Sequence, residues 1–283
     1  MGECKFDMLF TINVPHILEK IFFHLDYASF KKCTEVNTVW HKLLTSKSFK
    51  RLGKSIFREE IERELWHAVC MGNAFEVRRI ISGGMVDVNY KQRDITPLYL
   101  ASREGLKDVV QLLLKGGADA NIGCRDDNLY PMHEAAYQGD KDLAQLLLAG
   151  GAEVNMQTTW GATPLLFAIE NDHRDLVQLL LERGADPNMG PKSMLEAALL
   201  HDFIDVVKLL LNNGAEPNQL SPTGWAPLHL AASAGQKNAV QVLLDAGAEV
   251  NTVNLQGATP LTKAYENGHT AIVNLLKDNG GTE

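Results

Sequence analysis

The sequence predicts an all-α fold: a solenoid of about seven helix–turn–helix units with hairpin-like fingers, preceded by a short N-terminal helical module. Three observations predict it. A closing phrase of the form Gly-Ala-Asp/Glu-x-Asn ends at Asn121, Asn155, Asn188, Asn218 and Asn251, with a weaker copy ending at Asn89, at spacings of 32, 34, 33, 30 and 33 residues. An opening phrase with Pro at its second position recurs as Thr96-Pro-Leu-Tyr-Leu-Ala, Tyr130-Pro-Met-His-Glu-Ala, Thr163-Pro-Leu-Leu-Phe-Ala, Ala226-Pro-Leu-His-Leu-Ala and Thr259-Pro-Leu-Thr-Lys-Ala. Between the two phrases lie leucine runs, such as Leu112–Leu114, Leu146–Leu148, Leu179–Leu181 and Leu209–Leu211.

Each phrase has a physical reason. A Thr hydroxyl before Pro can accept from the free N–H groups at a helix start, and Pro at the first helical position sacrifices no hydrogen bond. Small residues at Ala101, Ala135, Ala168 and Ala231 let helices of adjacent units approach closely. The leucine runs supply the apolar stripe of a second helix. Gly116, Gly150, Gly184, Gly214 and Gly247 follow those runs and are expected to stop the helix in the left-handed conformation. No unit can bury its own apolar faces, so neighbours must stack.

A period of about 33 residues with these phrases resembles the ankyrin-repeat family, over roughly residues 59–283. The units fall at 59–89, 90–121, 122–155, 156–188, 189–218, 219–251 and 252–283 of an array spanning 55–283. The first has Leu65-Trp66-His67-Ala68 where the others have Pro. The fifth is short: Met189–Lys192 is all that separates Asn188 from Ser193, so its finger is clipped, and Met194 replaces Pro. Loss of hairpin contacts there predicts a local weak point, because solenoid stability is roughly a sum of neighbour terms.

Residues 9–54 do not fit the repeat. Val14-Pro-His-Ile-Leu-Glu-Lys-Ile-Phe-Phe-His-Leu-Asp, followed by Val36-Asn-Thr-Val-Trp40-His-Lys-Leu43, resembles an F-box. The resemblance implies a three-helix module that binds a Skp-type adaptor, and through it a cullin ubiquitin ligase, using Pro15, Leu18, Ile21 and Phe22. Val14 stands where that family has Leu, and a residue is missing after Pro15. An all-helical cap for the array is the competing reading of the same residues. Ser55–Ala68 reads as one amphipathic helix with Phe57, Ile61, Leu65 and Ala68 on one side, joining the two parts without a Pro/Gly/Ser linker.

Composition narrows the function further. The chain has 283 residues, 45% of them hydrophobic, and a formal charge of −8. Residues 1–65 hold 11 basic and 9 acidic residues (+2), and the rest hold 16 basic and 26 acidic (−10). An acidic array repels phosphate backbones, which argues against nucleic acid and for a protein partner, with basic partners favoured. No apolar run approaches the roughly 20 residues of a membrane span, and the charged start has no signal core. Cys4, Cys33, Cys70 and Cys124 are scattered singly and read as reduced thiols of a cytoplasmic or nuclear protein. No metal, phosphate-loop or nucleophile motif stands outside a repeat explanation, so neither cofactor nor catalysis is expected. His67, His133 and His229 read as helix-start residues that hydrogen-bond neighbouring turns.

The function expected is therefore a substrate receptor: the F-box to the ligase, the array to a protein substrate. The alternatives are an ankyrin scaffold or inhibitor without a ligase, and a receptor with a SOCS box, for which no sequence follows the array. Aromatic and Arg side chains dominate binding energy at interfaces. On the fingers and first helices of repeats two to four these are Tyr90, Arg93, Tyr99, Arg103, Arg125, Tyr137, Trp160 and Phe167. Repeats six and seven offer smaller groups there, such as Ser233, Ala234 and Asn267.

Overall fold

A computed structural model describes residues 58–282, apart from Pro222. The F-box resemblance, with Pro15, Leu18, Ile21 and Phe22, lies outside the described residues.

The described chain forms fourteen helices in seven antiparallel pairs. The first helices of the pairs are α1 (Arg58–Cys70), α3 (Pro97–Arg103), α5 (Pro131–Gln138), α7 (Pro164–Glu170), α9 (Met194–Leu200), α11 (Pro227–Ser233) and α13 (Pro260–Glu266). Their partners are α2 (Ala74–Gly83), α4 (Lys107–Lys115), α6 (Lys141–Ala149), α8 (Arg174–Glu182), α10 (Ile204–Asn212), α12 (Lys237–Asp245) and α14 (Thr270–Asp278). First helices stack on first helices and second on second, giving two helical layers.

The core lies between the layers. Ala101, Ala135, Ala168 and Ala231 are fully buried, as the need for close approach requires. The middle leucines Leu113, Leu147, Leu180, Leu210 and Leu243 are likewise sealed from water. Each contributes about 2 kcal/mol of apolar burial. Thr96, Thr163 and Thr259 cap α3, α7 and α13, each hydroxyl accepting from the third helical N–H. Where Tyr130 or Ala226 replaces Thr, the ring of His133 or His229 reaches back instead, its Nδ1 accepting from the capping N–H at 3.2 Å.

The closing Asn of each of the first six units stitches it to the next. The side-chain amide of Asn121 donates to Gly151 O at 2.9 Å, and its oxygen accepts from Glu153 N at 2.8 Å. Asn89, Asn155, Asn188, Asn218 and Asn251 repeat both bonds. A short amide that donates and accepts at once is what this position demands, which explains why the phrase always ends in Asn.

Three expectations need correction. The helix-stopping glycine is the second of each Gly-Gly pair: Gly117 and Gly151 have φ of 91° and 92°, whereas Gly116 and Gly150 have ordinary negative φ. A Cβ at Gly116 or Gly150 would come within 2.6 Å of Ile81 or 2.7 Å of Leu114 in the preceding repeat, so that neighbour would have to shift to admit it. The fingers are tight turns rather than hairpins of strands. Among the described residues the bridges are isolated, Gln92 with Ile95 and Cys124 with Leu129, because the arms are too short to extend a ladder. His67 is exposed in the last turn of α1 and not in the capping slot, since α1 already begins at Arg58, nine residues before it.

Repeat five departs as its length requires. The cross-finger bonds seen in repeat four (Thr158 N to Ala162 O, 2.9 Å) and repeat six (Ser221 N to Trp225 O, 2.8 Å) have no counterpart between Asn188 and Ser193. Ser193 precedes α9 without a capping bond from its side chain.

Candidate functional site

The finger side begins at repeats two and three with strained backbone. Arg93 and Asp94 have φ of 51° and 59°, and Arg125 and Asn128 have 64° and 55°. In repeats four, six and seven the corresponding tips use Gly161, Gly224 and Gly257. A left-handed non-glycine residue costs roughly 1 kcal/mol or more, so fingers two and three keep their side chains at a cost in stability. Their tips are joined by Arg125 N donating to Asp94 O at 3.0 Å, and the next pair by Thr159 N donating to Asp127 O at 2.9 Å. Arg93 and Arg125 are exposed.

Two aromatic residues expected on this surface are elsewhere. Tyr99 is fully buried; its hydroxyl donates to the Glu134 carboxylate of the next repeat, with the Arg125 guanidinium beside it. Burial, then the bond to Glu134, raises its pKa well above the usual phenol value. Tyr90 is buried too, its ring edge-on to Trp66 and its hydroxyl donating to the Glu62 carbonyl. Both serve inter-repeat packing, so neither is available as a substrate anchor. Aligning the repeats exposes the signal for Tyr99: it occupies the slot of His133 and His229, which points into the neighbouring finger.

The remaining residues are surface groups. Arg103 is exposed and pairs with Glu104 at 2.9 Å. Tyr137, at the end of α5, is 58% exposed, and Trp160, at the tip of finger four, is 49% exposed. Trp160 meets half-buried Phe167 of α7 with ring centroids 5.7 Å apart and planes at 45°. Behind Phe167 stands His133, edge-on at 5.2 Å, and behind that Tyr130 at 5.6 Å. The structure thus assembles Trp160 and Phe167 into one aromatic corner of repeat four, backed by His133 and Tyr130 of repeat three. Tyr137 lies on the adjoining first helix.

His133 is an inter-repeat bridge. Its Nε2 is bonded to Ala162 O at 3.1 Å, and His229 makes the same bond to Ala258 O at 2.9 Å. Burial lowers the His133 pKa to about 4 and lowers that of His229, so His133 is neutral near pH 7. Residues that sequence reasoning missed include His173 and His269, whose Nε2 atoms bond Tyr137 O and Ser233 O at 3.0 Å. Their shared position just before α8 and α14 was the available signal. Also missed was the Trp225 environment in repeat six, where the Lys263 ammonium sits 5.7 Å from the ring centroid and pairs with Glu266 at 2.8 Å. Among the described residues, no group of three or more His, Cys, Asp or Glu side chains is placed to hold a metal ion, and no helix is long and apolar enough to cross a membrane.

Comparison with known families places this geometry. A model of three tandem ankyrin repeats matches residues 116–191 and 194–283, and a single-repeat model matches 93–127. The chain belongs to the ankyrin-repeat family. Among solved structures, this ankyrin array resembles the ankyrin repeat domain of Bcl-3, described as a unique member of the IkappaB protein family. The TM-score is 0.67 at 29% identity, covering 76% of this chain and 97% of that one. Among curated proteins, a palmitoyltransferase AKR1 from Kluyveromyces lactis is 41% identical over 58 residues, 20% of this chain. This chain spans 8% of that protein's length, so the likeness is one of repeats. The array is accordingly a protein–protein interaction domain.

Proposed function

We propose that the chain is a non-catalytic adaptor, the substrate-recognition subunit of a Skp–cullin–F-box ubiquitin ligase. The array holds a protein substrate on the finger side of repeats two to four. The observation that carries the substrate half is the exposure of Trp160 and Tyr137 beside fingertips that keep Arg93 and Arg125 in a left-handed backbone. Exposed large aromatics and arginines are the side chains that dominate interface energy. The ligase half is supported by the pattern at Pro15, Leu18, Ile21 and Phe22. Alanine at Arg125, Tyr137 and Trp160 together is expected to abolish substrate capture while leaving thermal unfolding and adaptor binding nearly intact. Calorimetric titration with a Skp-type adaptor is expected to give a complex that Phe22→Ala weakens by about tenfold or more. Absence of heat at tens of micromolar rejects the ligase.

The second reading is an ankyrin scaffold or inhibitor that binds its partner without a ligase. The likeness to an IkappaB-family ankyrin domain over 76% of this chain favours it. Under that reading the triple alanine variant still loses its partner, and the adaptor titration is silent.

A further inference from the structure

The molecule holds a worked example of how its fingers bind a cation. In repeat six, Trp225 carries the Lys263 ammonium over its ring at 5.7 Å, and the Glu266 carboxylate holds that ammonium at 2.8 Å. Ring, cation and carboxylate are all supplied by the chain, and the Lys263 side chain is only 14% exposed. In repeat four a ring pair is present and, among the described residues, no cation lies over it. Trp160 and Phe167 incline their rings at 45° with centroids 5.7 Å apart. The neighbouring fingertip, tied to this one through Thr159 N and Asp127 O, bears Asp126 and Asp127. Both acids are exposed and make no ion pair with a described residue.

We infer that the Trp160–Phe167 corner, whose finger is tied to the one that bears exposed Asp127, is a subsite for a cationic side chain of the partner, a lysine or arginine in an extended segment. This deepens the proposed protein-binding face and rests on it. An aromatic face attracts a cation through its quadrupole, and acidic groups on the neighbouring fingertip add to the attraction. The imidazole behind Phe167 does not oppose it, because buried His133 is uncharged near neutral pH. The −10 charge of residues 66–283 draws a basic segment toward the array in the first place.

The probe is a capped pentapeptide with one arginine among alanines, titrated into the full-length protein and followed by the indole N–H resonances. The expected result is a saturable, millimolar-range shift at Trp160 with Trp225 unmoved, since Lys263 already covers that ring. The same peptide with norleucine in place of arginine should bind about three- to tenfold more weakly. Trp160→Leu, followed by the backbone amides of finger four because its indole is gone, should reduce binding to the norleucine level, and Asp127→Asn should weaken it about two- to fivefold. Equal shifts with norleucine, preference for a glutamate peptide, or no saturable shift at Trp160 overturns the inference. The two readings fail separately. If the triple alanine variant loses substrate while the peptide fails, the face stands and its cation chemistry falls. If the peptide binds while the variant keeps its substrate, the subsite stands and the face is misplaced.

Discussion

Repeats two to four and repeat five keep the same Asn stitch and differ on the finger side. Asn155 and Asn188 each donate to a glycine carbonyl and accept from an acidic residue's N–H in the next unit, at 2.8 to 3.1 Å. The edge near the second helices therefore runs unbroken through the short repeat. On the other edge, fingers two, three and four are tied tip to tip, His133 bridges to Ala162, and Thr163 caps its helix. Repeat five has no cross-finger bond, no capping bond from Ser193, and Glu196 in the slot that His133 fills. The difference teaches that one edge carries continuity and the other carries local rigidity. The candidate site lies where the second edge is fully built.

The largest way to break that contrast is acid. The His133 pKa is lowered by burial from its ordinary 6.5 to about 4, so the folded state resists the proton that the unfolded state accepts. The bridge's stability is fully present above about pH 6.5 and is lost as pH falls from there toward 4. The loss reaches roughly 3 kcal/mol across the window. Denaturant unfolding of wild type and His133→Gln at pH 7.5 and pH 5 is expected to show a steeper loss in wild type. Repeat five has no such group, so amide exchange should report the acid-induced opening at α5 and finger four and not at α9. Equal pH dependence in both proteins would mean the imidazole is hydrated.

Hydrogen exchange at neutral pH sharpens the same comparison. α9 packs less extensively against its neighbours than α5 and lacks finger support on its own side. Opening free energy falls where neighbour terms are missing. Amides of α9 should exchange about tenfold faster than those of α5 and α7, a difference of about 1.4 kcal/mol. Uniform protection from α5 to α11 would show that the Asn stitch alone sets cooperativity.

The sequence carried much of this and hid a definable part. Periodicity located the helix pairs, and Thr before Pro located the caps at Thr96, Thr163 and Thr259, because those signals are local in the chain. Direction across the repeat interface is not local. Tyr99 and Tyr137 both read as first-helix aromatics, yet one is sealed against Glu134 and the other stands in water. Deciding between them required the repeat register, in which Tyr99 shares the His133 slot. Gly116 and Gly117 were indistinguishable for the same reason: one faces Ile81 of the preceding repeat, the other only needs positive φ. Of the candidate site, Trp160 and Phe167 were legible as residues, while their meeting across finger and helix was not.

The smallest prediction tests two residues that look equivalent in the sequence. Thr163 and Ser193 both precede a first helix, and either hydroxyl is able to cap. Thr163 Oγ1 accepts from Leu166 N at 3.4 Å, while Ser193 makes no side-chain capping bond, its backbone entering α9 at φ −61° and ψ 132° without the finger that sets the entry angle elsewhere. Thr163→Ala should therefore cost about 1 kcal/mol, the usual worth of a cap. Ser193→Ala should change stability by less than about 0.5 kcal/mol, because it removes no bond and leaves a small buried side chain of similar size. Both are read from denaturant midpoints at constant slope. A cost at Ser193 matching that at Thr163 would mean its hydroxyl does cap α9, and repeat five would then differ from its neighbours in the finger alone.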